Sequence, residues 1–155
     1  MKTNIRAAKP EDVAALTKLL RSLGLFAHLS AESIEVSQQR IAHHFALCDA
    51  DESHSVYVAE QEGEAIGYAA VHWLPSLFLA APEGYISELF VHESARGQGI
   101  GTRLLETVKA EAQRRNCSRL TLVNHRDRES YQRKFYEKQG WRERQNVANF
   151  VYVLK

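Results

Sequence analysis

Arg96-Gly97-Gln98-Gly99-Ile100-Gly101 stands between an apolar run over residues 85–91 and a helix-like pattern that continues to about residue 116. Three glycines at alternate positions let the backbone turn tightly and approach a ligand with no Cβ in the way. Their amide hydrogens, together with the first turn of the helix, can converge on an anion. Arg96 adds a fixed positive charge at the rim. Such a loop suits a diphosphate.

Spacing narrows the choice of diphosphate. A dinucleotide fingerprint needs G-x-G-x-x-G directly after a strand, with an acid about 20 positions on. Here the third glycine comes one residue early, Thr102 takes the expected slot, and His92 to Arg96 separate the apolar run from the first glycine. A nucleoside-triphosphate loop ends in Gly-Lys-Ser/Thr, whereas Thr102 and Arg103 follow Gly101. Both nucleotide patterns fit poorly, and a glycine-rich loop alone also fits a plain strand-to-helix turn.

The neighbours are more specific. Residues 87–105 read Ser-Glu-Leu-Phe-Val-His-Glu-Ser-Ala-Arg-Gly-Gln-Gly-Ile-Gly-Thr-Arg-Leu-Leu. This run resembles the coenzyme A signature of the GNAT family of N-acetyltransferases: an apolar strand ending in Val, a short linker, Arg/Gln-x-x-Gly-x-Gly/Ala, then a helix with paired Leu. Phe135-Tyr136-Glu137-Lys138-Gln139-Gly140-Trp141 is similar to the family's Tyr-Glu-Lys-x-Gly-aromatic segment. The resemblance covers nearly the whole chain and is sharp from about Gly84 onward.

Bulk properties agree with a small soluble enzyme. A chain of 155 residues suits one domain, 1–155, with a real hydrophobic core. Hydrophobic residues make up 45% and charged residues 25%, and the net charge of +1 offers no general attraction to nucleic acid or an anionic membrane. No apolar run reaches membrane-helix length, and Met1-Lys2-Thr3-Asn4 does not begin a secretory signal, so a cytoplasmic protein is expected. Cys48 and Cys117 read as buried or half-buried thiols rather than a disulfide framework. No metal site is expected: His43 and His44 are adjacent, and on a helix they diverge by about 100°. Arg114, Arg115, Arg126, Arg128 and Arg133 read as solvated charge, with some within reach of the coenzyme's 3′-phosphate if the resemblance holds.

Periodicity supplies the element order. Residues 5–7 suit a first strand, and Pro10-Glu11-Asp12 opens a helix whose inner stripe is Val13, Leu16, Leu19, Leu20 and Leu23, ended by Gly24. Residues 30–33 begin a second helix, carried inward by Ile34, Ile41, Phe45 and Leu47. Residues 55–61 and 64–73 form a hairpin around Glu62-Gly63, and 85–91 is the next strand, with Ile86, Glu88 and Phe90 on one face. Ile100, Leu104, Leu105, Val108 and Ala112 make the stripe of the signature helix. Residues 119–123 suit a strand, 129–139 a helix and 146–154 a final strand. Propensity alone reaches α/β with a mixed sheet. The resemblance implies an α/β (α+β) fold with a mixed, mostly antiparallel central sheet flanked by helices, in the order β-α-α-β-β-β-α-β-α-β.

Acetyl transfer sets four chemical demands. An alkyl amine with a pKa near 10.4 has a free lone pair in only about one molecule in 2,500 at pH 7. The reaction needs a positioned thioester, a route for the amine's proton, donors for the developing oxyanion and an acid for the departing thiolate. Acetyl-CoA is the implied co-substrate, held by Arg96, Gly97, Gln98, Gly99, Ile100 and Gly101. The resemblance adds the backbone of Leu89, Phe90 and Val91 along the pantetheine arm, with an amide such as that of Phe90 or Val91 polarising the thioester. Glu88 is the expected base, or else a binding site for the substrate's cation. His72 is a second candidate for the same cleft. Tyr136 matches the family tyrosine that protonates the coenzyme sulfur, or belongs to an aromatic cluster with Phe135 and Trp141. The family often has Asn where this chain has Glu129; Asn124 and Tyr131 are the candidates to line the coenzyme channel instead.

The resemblance implies an acceptor groove roofed by two loops, here 23–30 and 74–84, both apolar through Leu25, Phe26, Leu77, Phe78 and Leu79. Phe26, His28, Phe78 and Glu88 are the expected acceptor-binding residues, with Glu32 and Glu83 as further carboxylates able to draw a cationic amine. An apolar lid and a homodimer contact both account for such loops. The expected function is an acetyl-CoA-dependent N-acetyltransferase acting on a small primary amine in a ternary complex. A non-catalytic coenzyme-binding module and an enzyme acting on a protein or peptide amine are the alternatives.

Overall fold

A hairpin with the turn chemistry its sequence announces anchors the sheet. In the computed structural model, which describes residues 2–155, β1 is Thr3–Ala7, β2 is His54–Gln61 and β3 is Glu64–Leu74. Glu62 and Gly63 join β2 to β3 with positive φ at both positions (51° and 81°), the twist-matched geometry of a two-residue hairpin. β4 (Glu83–Val91) pairs antiparallel with β3, and β5 (Arg119–Leu122) pairs parallel with β4. The order is β1-β2-β3-β4-β5, a mixed and mostly antiparallel sheet as expected.

Helices cover both faces. α1 (Val13–Ser22) buries Val13, Leu16 and Leu19. Leu16 and Leu19 pack with Val58, Tyr68 and Ala70, and Leu20, Leu23, Val56 and Phe90 close around them. α2 is Ala27–Ala31 and α3 is Ile34–Asp49. The expected start of α3 is present, with the Ser33 hydroxyl accepting from the Val36 amide at 3.3 Å. α4 (Ile100–Arg114) buries Ile100, Leu104, Leu105, Val108 and Ala112, the stripe its spacing predicts. A Cβ on Gly67 would point at Ile100, and Gly67 alternates with Tyr68 along β3, so α4 covers the face opposite α1.

The chain divides into two units at the Leu122/Val123 boundary, and the sheet with α1 to α4 belongs to the first. In the second, the helix expected over residues 129–139 is only α5 (Glu129–Gln132) followed by a 3₁₀ turn at Glu137–Gln139. Lys134 takes a positive φ of 57° and the Phe135 amide reaches back to the Ser130 carbonyl at 2.9 Å, which ends the regular i to i−4 ladder. The final strand expected over 146–154 does not form. Phe150, Val151, Tyr152, Val153 and Leu154 are 79–91% exposed, and among the described residues no ladder runs along them. Alternation and β-branching favour an extended chain, but a strand also needs a neighbouring backbone.

Two smaller expectations are also corrected. The loop after α1 contains the short helix α2, and on α3 Ile34 and Leu47 are 44% and 59% exposed rather than inward. Only Ser37 and Phe45 of α3 are buried, since the helix rests mainly on α1 and offers a narrow contact.

Gly84 marks the tightest packing between strands. A Cβ there would sit 2.5 Å from Leu120 Cδ2 and 2.7 Å from the Trp73 ring. Gly84→Ala is expected to destabilise the protein by about 1–3 kcal/mol through overpacking, read as a lowered urea midpoint with unchanged slope.

Candidate active site

The glycine loop is an array of free donors. After β4, a 3₁₀ turn at Glu93–Ala95 is capped by His92, whose Nδ1 accepts from the Ser94 amide at 3.1 Å. Gly97 and Gly99 have φ of 76° and 75°, the left-handed region where glycine alone is unstrained. The first bond of α4 runs from the Arg103 amide to the Gly99 carbonyl at 3.0 Å. Amides of residues 97–102 therefore find no backbone acceptor among the described residues. They lie at the positive end of a 15-residue helix. Arg96 is exposed beside them, its Nε 3.3 Å from the Val91 carbonyl, and Gln98 is steadied by Ser94 and Gln61. Such an array of donors suits an anion.

β4 leads into this loop along an open edge. Its pairing with β5 runs only from Glu83↔Arg119 to Ile86↔Leu122, so Ser87 to Val91 have no strand on that side among the described residues. On the other side the register with β3 slips: Ile86 lies opposite Val71, Glu88 opposite Ala70, and Ser87 has no counterpart. This bulge overturns the simple alternation expected along the strand. Glu88 and Phe90 face α1, with Ala70 and Tyr68, while Ile86 turns with Val71 to the α4 side.

Glu88 occupies a prepared position. The Tyr68 hydroxyl donates to Glu88 Oε1 at 2.8 Å. Burial, then the charge of Glu88, holds the Tyr68 phenol far above its ordinary pKa of 10, so it stays a donor. Oε2 of Glu88 has no hydrogen bond among the described residues. The other two acids expected here are committed elsewhere. Glu83 is nearly buried and pairs with Arg119 at 2.6 Å. Glu32 is held at a pKa of about 2 by hydrogen bonds from Arg40 and Ser37. Of the three, Glu88 alone carries no ion pair among the described residues. Its charge also adds to burial in raising the Cys48 thiol pKa.

The wall opposite β4 comes from the segment after α1. Phe26 meets Phe90 edge-on with centroids 5.5 Å apart, and Phe90 lies 5.9 Å from Tyr68. His28 is exposed, 6.5 Å from Phe26. Arg21 of α1 fastens this segment by donating to the carbonyls of Leu29 and Glu32 and to the Ser37 hydroxyl. Phe78 does not join the cluster; it is 81% exposed and Leu77 entirely so. His72 Nε2 lies 2.9 Å from Ser87 Oγ, near the bulge.

The second unit holds the remaining expected residues. Tyr136 packs edge-on with Phe135 (5.0 Å) and Trp141 (5.9 Å), and burial pushes its phenol up to about 12. Asn124 donates to Ser130 Oγ at 3.0 Å, and Tyr131 donates to Glu143 Oε2 at 3.0 Å, where Arg126 also pairs. Glu129 is the first residue of α5. Among the described residues no three His, Cys, Asp or Glu gather as a metal site, and no helix is long and apolar enough to cross a membrane.

The sequence model of the acetyltransferase (GNAT) family matches residues 15–141. The chain belongs to this family. The uncharacterized N-acetyltransferase YhfO of Bacillus subtilis (strain 168) is 31% identical over 145 residues, 90% of each chain. The thialysine N-epsilon-acetyltransferase of Mus musculus is 25% identical over 127 residues, 78% of this chain and 74% of that one. Among solved structures, a transcriptional regulator from Bacillus halodurans C-125 superposes with a TM-score of 0.82 at 26% identity, covering 97% of this chain and 100% of the other. This GNAT chain is therefore an acetyltransferase, and the family generally draws on acetyl-CoA.

Sequence reasoning missed Tyr68 and Ser87. Tyr68 was within reach, since it alternates with the buried Gly67 and Ala69 in the hairpin. Ser87 was not, because nothing in the composition of β4 marks a bulge there.

Gly99→Asp tests the donor array. A side chain at Gly99 meets nothing within 4 Å, so the fold is expected to survive. The carboxylate and the strained φ should weaken acetyl-CoA binding by at least about 100-fold in calorimetry, equivalent to about 2.7 kcal/mol.

Proposed function

We propose that this protein transfers the acetyl group of acetyl-CoA to the primary amine of a small molecule, by direct attack with both substrates bound. The observation that carries this is the run of unpaired amides over residues 97–102, continuous with an open strand edge that bears Glu88. Arg96 and these amides offer the positive charge and the donors that the coenzyme's diphosphate would take up. Leu89, Phe90 and Val91 supply main-chain groups for its pantetheine arm. When bound, acetyl-CoA provides an activated acyl carbon and a thiolate leaving group.

Each side chain then has one task. Glu88 attracts the acceptor's ammonium through its free Oε2 and takes a proton from it. Tyr68 keeps the carboxylate aimed by holding Oε1. Tyr136 protonates the sulfur as it departs; a phenol pKa of about 12 keeps it a donor throughout the physiological range. Phe26, with Phe90, packs the acceptor's carbon skeleton, and His28 lies at the outer end of that wall. Asn124 and Tyr131 act on the coenzyme side. A small acceptor is supported by the mouse relative, whose name assigns its acetyl group to an ε-amine.

A thiol-release screen with acetyl-CoA tests the proposal, using diamines, free amino acids, amino sugars and a peptide with a free N-terminus. Turnover is expected with a small amine; release with the peptide alone would overturn the acceptor class. Tyr136→Phe should lower kcat by roughly 10- to 1,000-fold with acetyl-CoA affinity unchanged. An equal kcat would remove Tyr136 from the chemistry. In the wild type, no loss of rate from Tyr136 ionisation is expected between pH 9 and about 11, because its pKa is raised to about 12. Glu88→Gln should cost about 100-fold in kcat/KM at pH 7 and leave a rate that climbs with pH as free amine appears.

A further inference from the structure

An ammonium acceptor must lose two protons to become an amide, one to expose its lone pair and one as the new C–N bond forms. A single carboxylate takes only one of them. Tyr136 does not help, since in the proposed reaction it gives a proton to sulfur. A second proton acceptor on the acceptor side of the sheet would let the enzyme use the abundant ammonium form directly.

A built candidate lies next to Glu88. Ser87 is the extra residue of the β4 bulge, has no cross-strand partner, and is exposed. Its hydroxyl lies 2.9 Å from His72 Nε2 and 3.4 Å from the Ala70 carbonyl. In the His72 tautomer protonated on Nδ1, the Ser87 hydroxyl turns from the Ala70 carbonyl and donates to Nε2. Groups around His72 favour a neutral ring ready to accept. The His54 ring on β2 stands edge-on with centroids 4.5 Å apart, and Tyr85 on β4 lies 6.1 Å away. Burial, then the neighbouring His54, lowers the His72 pKa below its ordinary 6.5. His54 is itself fixed: its Nδ1 is 2.7 Å from Ser53 Oγ, and that hydroxyl donates to Asp51. Asp51 is held ionised by those Ser53 hydrogen bonds. On the same side of the sheet, Glu88 lies opposite Ala70 and is engaged by Tyr68, and burial, then Glu88, raises the pKa of the Cys48 thiol of α3.

We propose that Ser87 and His72 form a proton relay for the acceptor amine, with His72 as terminal acceptor. As the nitrogen bonds to the acyl carbon, its N–H bond breaks and the proton passes to Ser87 Oγ. Ser87's own proton moves at the same time to Nε2 of His72. After the product leaves, the imidazolium returns its Nε2 proton through Ser87 Oγ to water, which frees Nε2 for the next turnover. Nitrogen thus gives up two protons, to Glu88 and His72, and sulfur gains one from Tyr136; Glu88 and His72 then each release a proton to water and Tyr136 takes one back, a net release of one. The relay rests on the acetyltransferase function proposed above.

The test uses thiol release from acetyl-CoA with 1,4-diaminobutane, lysine or glucosamine, whichever turns over fastest, from pH 5 to 9. Variants are His72→Gln, Ser87→Ala, their double, and His72→Ala with and without added imidazole. Calorimetric acetyl-CoA affinity checks that each variant is folded. His72→Gln and Ser87→Ala should each lower kcat by roughly 10- to 100-fold, the low end for one positioned proton acceptor. The double should be no worse than the poorer single, as expected for one path. The wild-type acid limb, below pH 6.5 because protonated His72 cannot accept, should vanish in His72→Gln, and imidazole should restore His72→Ala. An unchanged limb and kcat in His72→Gln, or losses that multiply in the double, would overturn the relay while the acetyltransferase function stands. Wild-type protein that releases no thiol with any of these amines would overturn both.

Discussion

An unpaired strand edge is a template for another extended chain, and most proteins cover or charge it. This one keeps such an edge in the middle of its sheet. β4 is joined to β5 through Ile86 and then runs on without that neighbour, straight into a loop whose amides point away from any internal acceptor. The edge exists because β5 stops at Leu122 while β4 continues to Val91, and the free amides follow because the first bond of α4 is made only at Arg103. The interior supports the exposure: Leu104, Leu105 and Val108 of α4 are fully buried, so the helix whose N-terminus presents the amides is firmly seated.

A single inserted residue decides what the open edge offers to an acceptor. Without the bulge at Ser87, Glu88 would share the face of Ile86, beneath α4, and its carboxylate would be buried without a partner. With it, Glu88 emerges on the α1 side, where the Tyr68 hydroxyl meets it. The extra residue is also the hydroxyl that reaches His72. Charge and hydrogen-bonding capacity are thus gathered at the point where the sheet is least regular.

The sequence was most legible where local chemistry left one option. Gly97 and Gly99 read as backbone positions and adopt the left-handed conformation that glycine tolerates. The stripes of α1 and α4 lie where their spacing put them, and Glu62-Gly63 makes its hairpin. Legibility failed where long-range geometry decides. Residues 146–154 alternate like a strand, but pairing belongs to two segments and cannot be read from one. Lys134 gave no sign of a left-handed break in the expected helix. Glu83 and Glu32 looked as available as Glu88 until Arg119 and Arg40 were seen to hold them. The exposure of Phe78 has the same cause: an apolar side chain in a loop specifies no partner.

Arg21 has a different kind of consequence. Its guanidinium holds the segment after α1 through the main-chain carbonyls of Leu29 and Glu32, with the Ser37 hydroxyl as a third contact. Carbonyl oxygens are present whatever the side chain. Around the buried Leu29, the other residues of 25–31 can therefore change identity while their path is kept, so the stretch behaves as an exchangeable cassette: a descendant of this chain could acquire taste for a new amine by rewriting a few letters there, with the frame beneath left as it is.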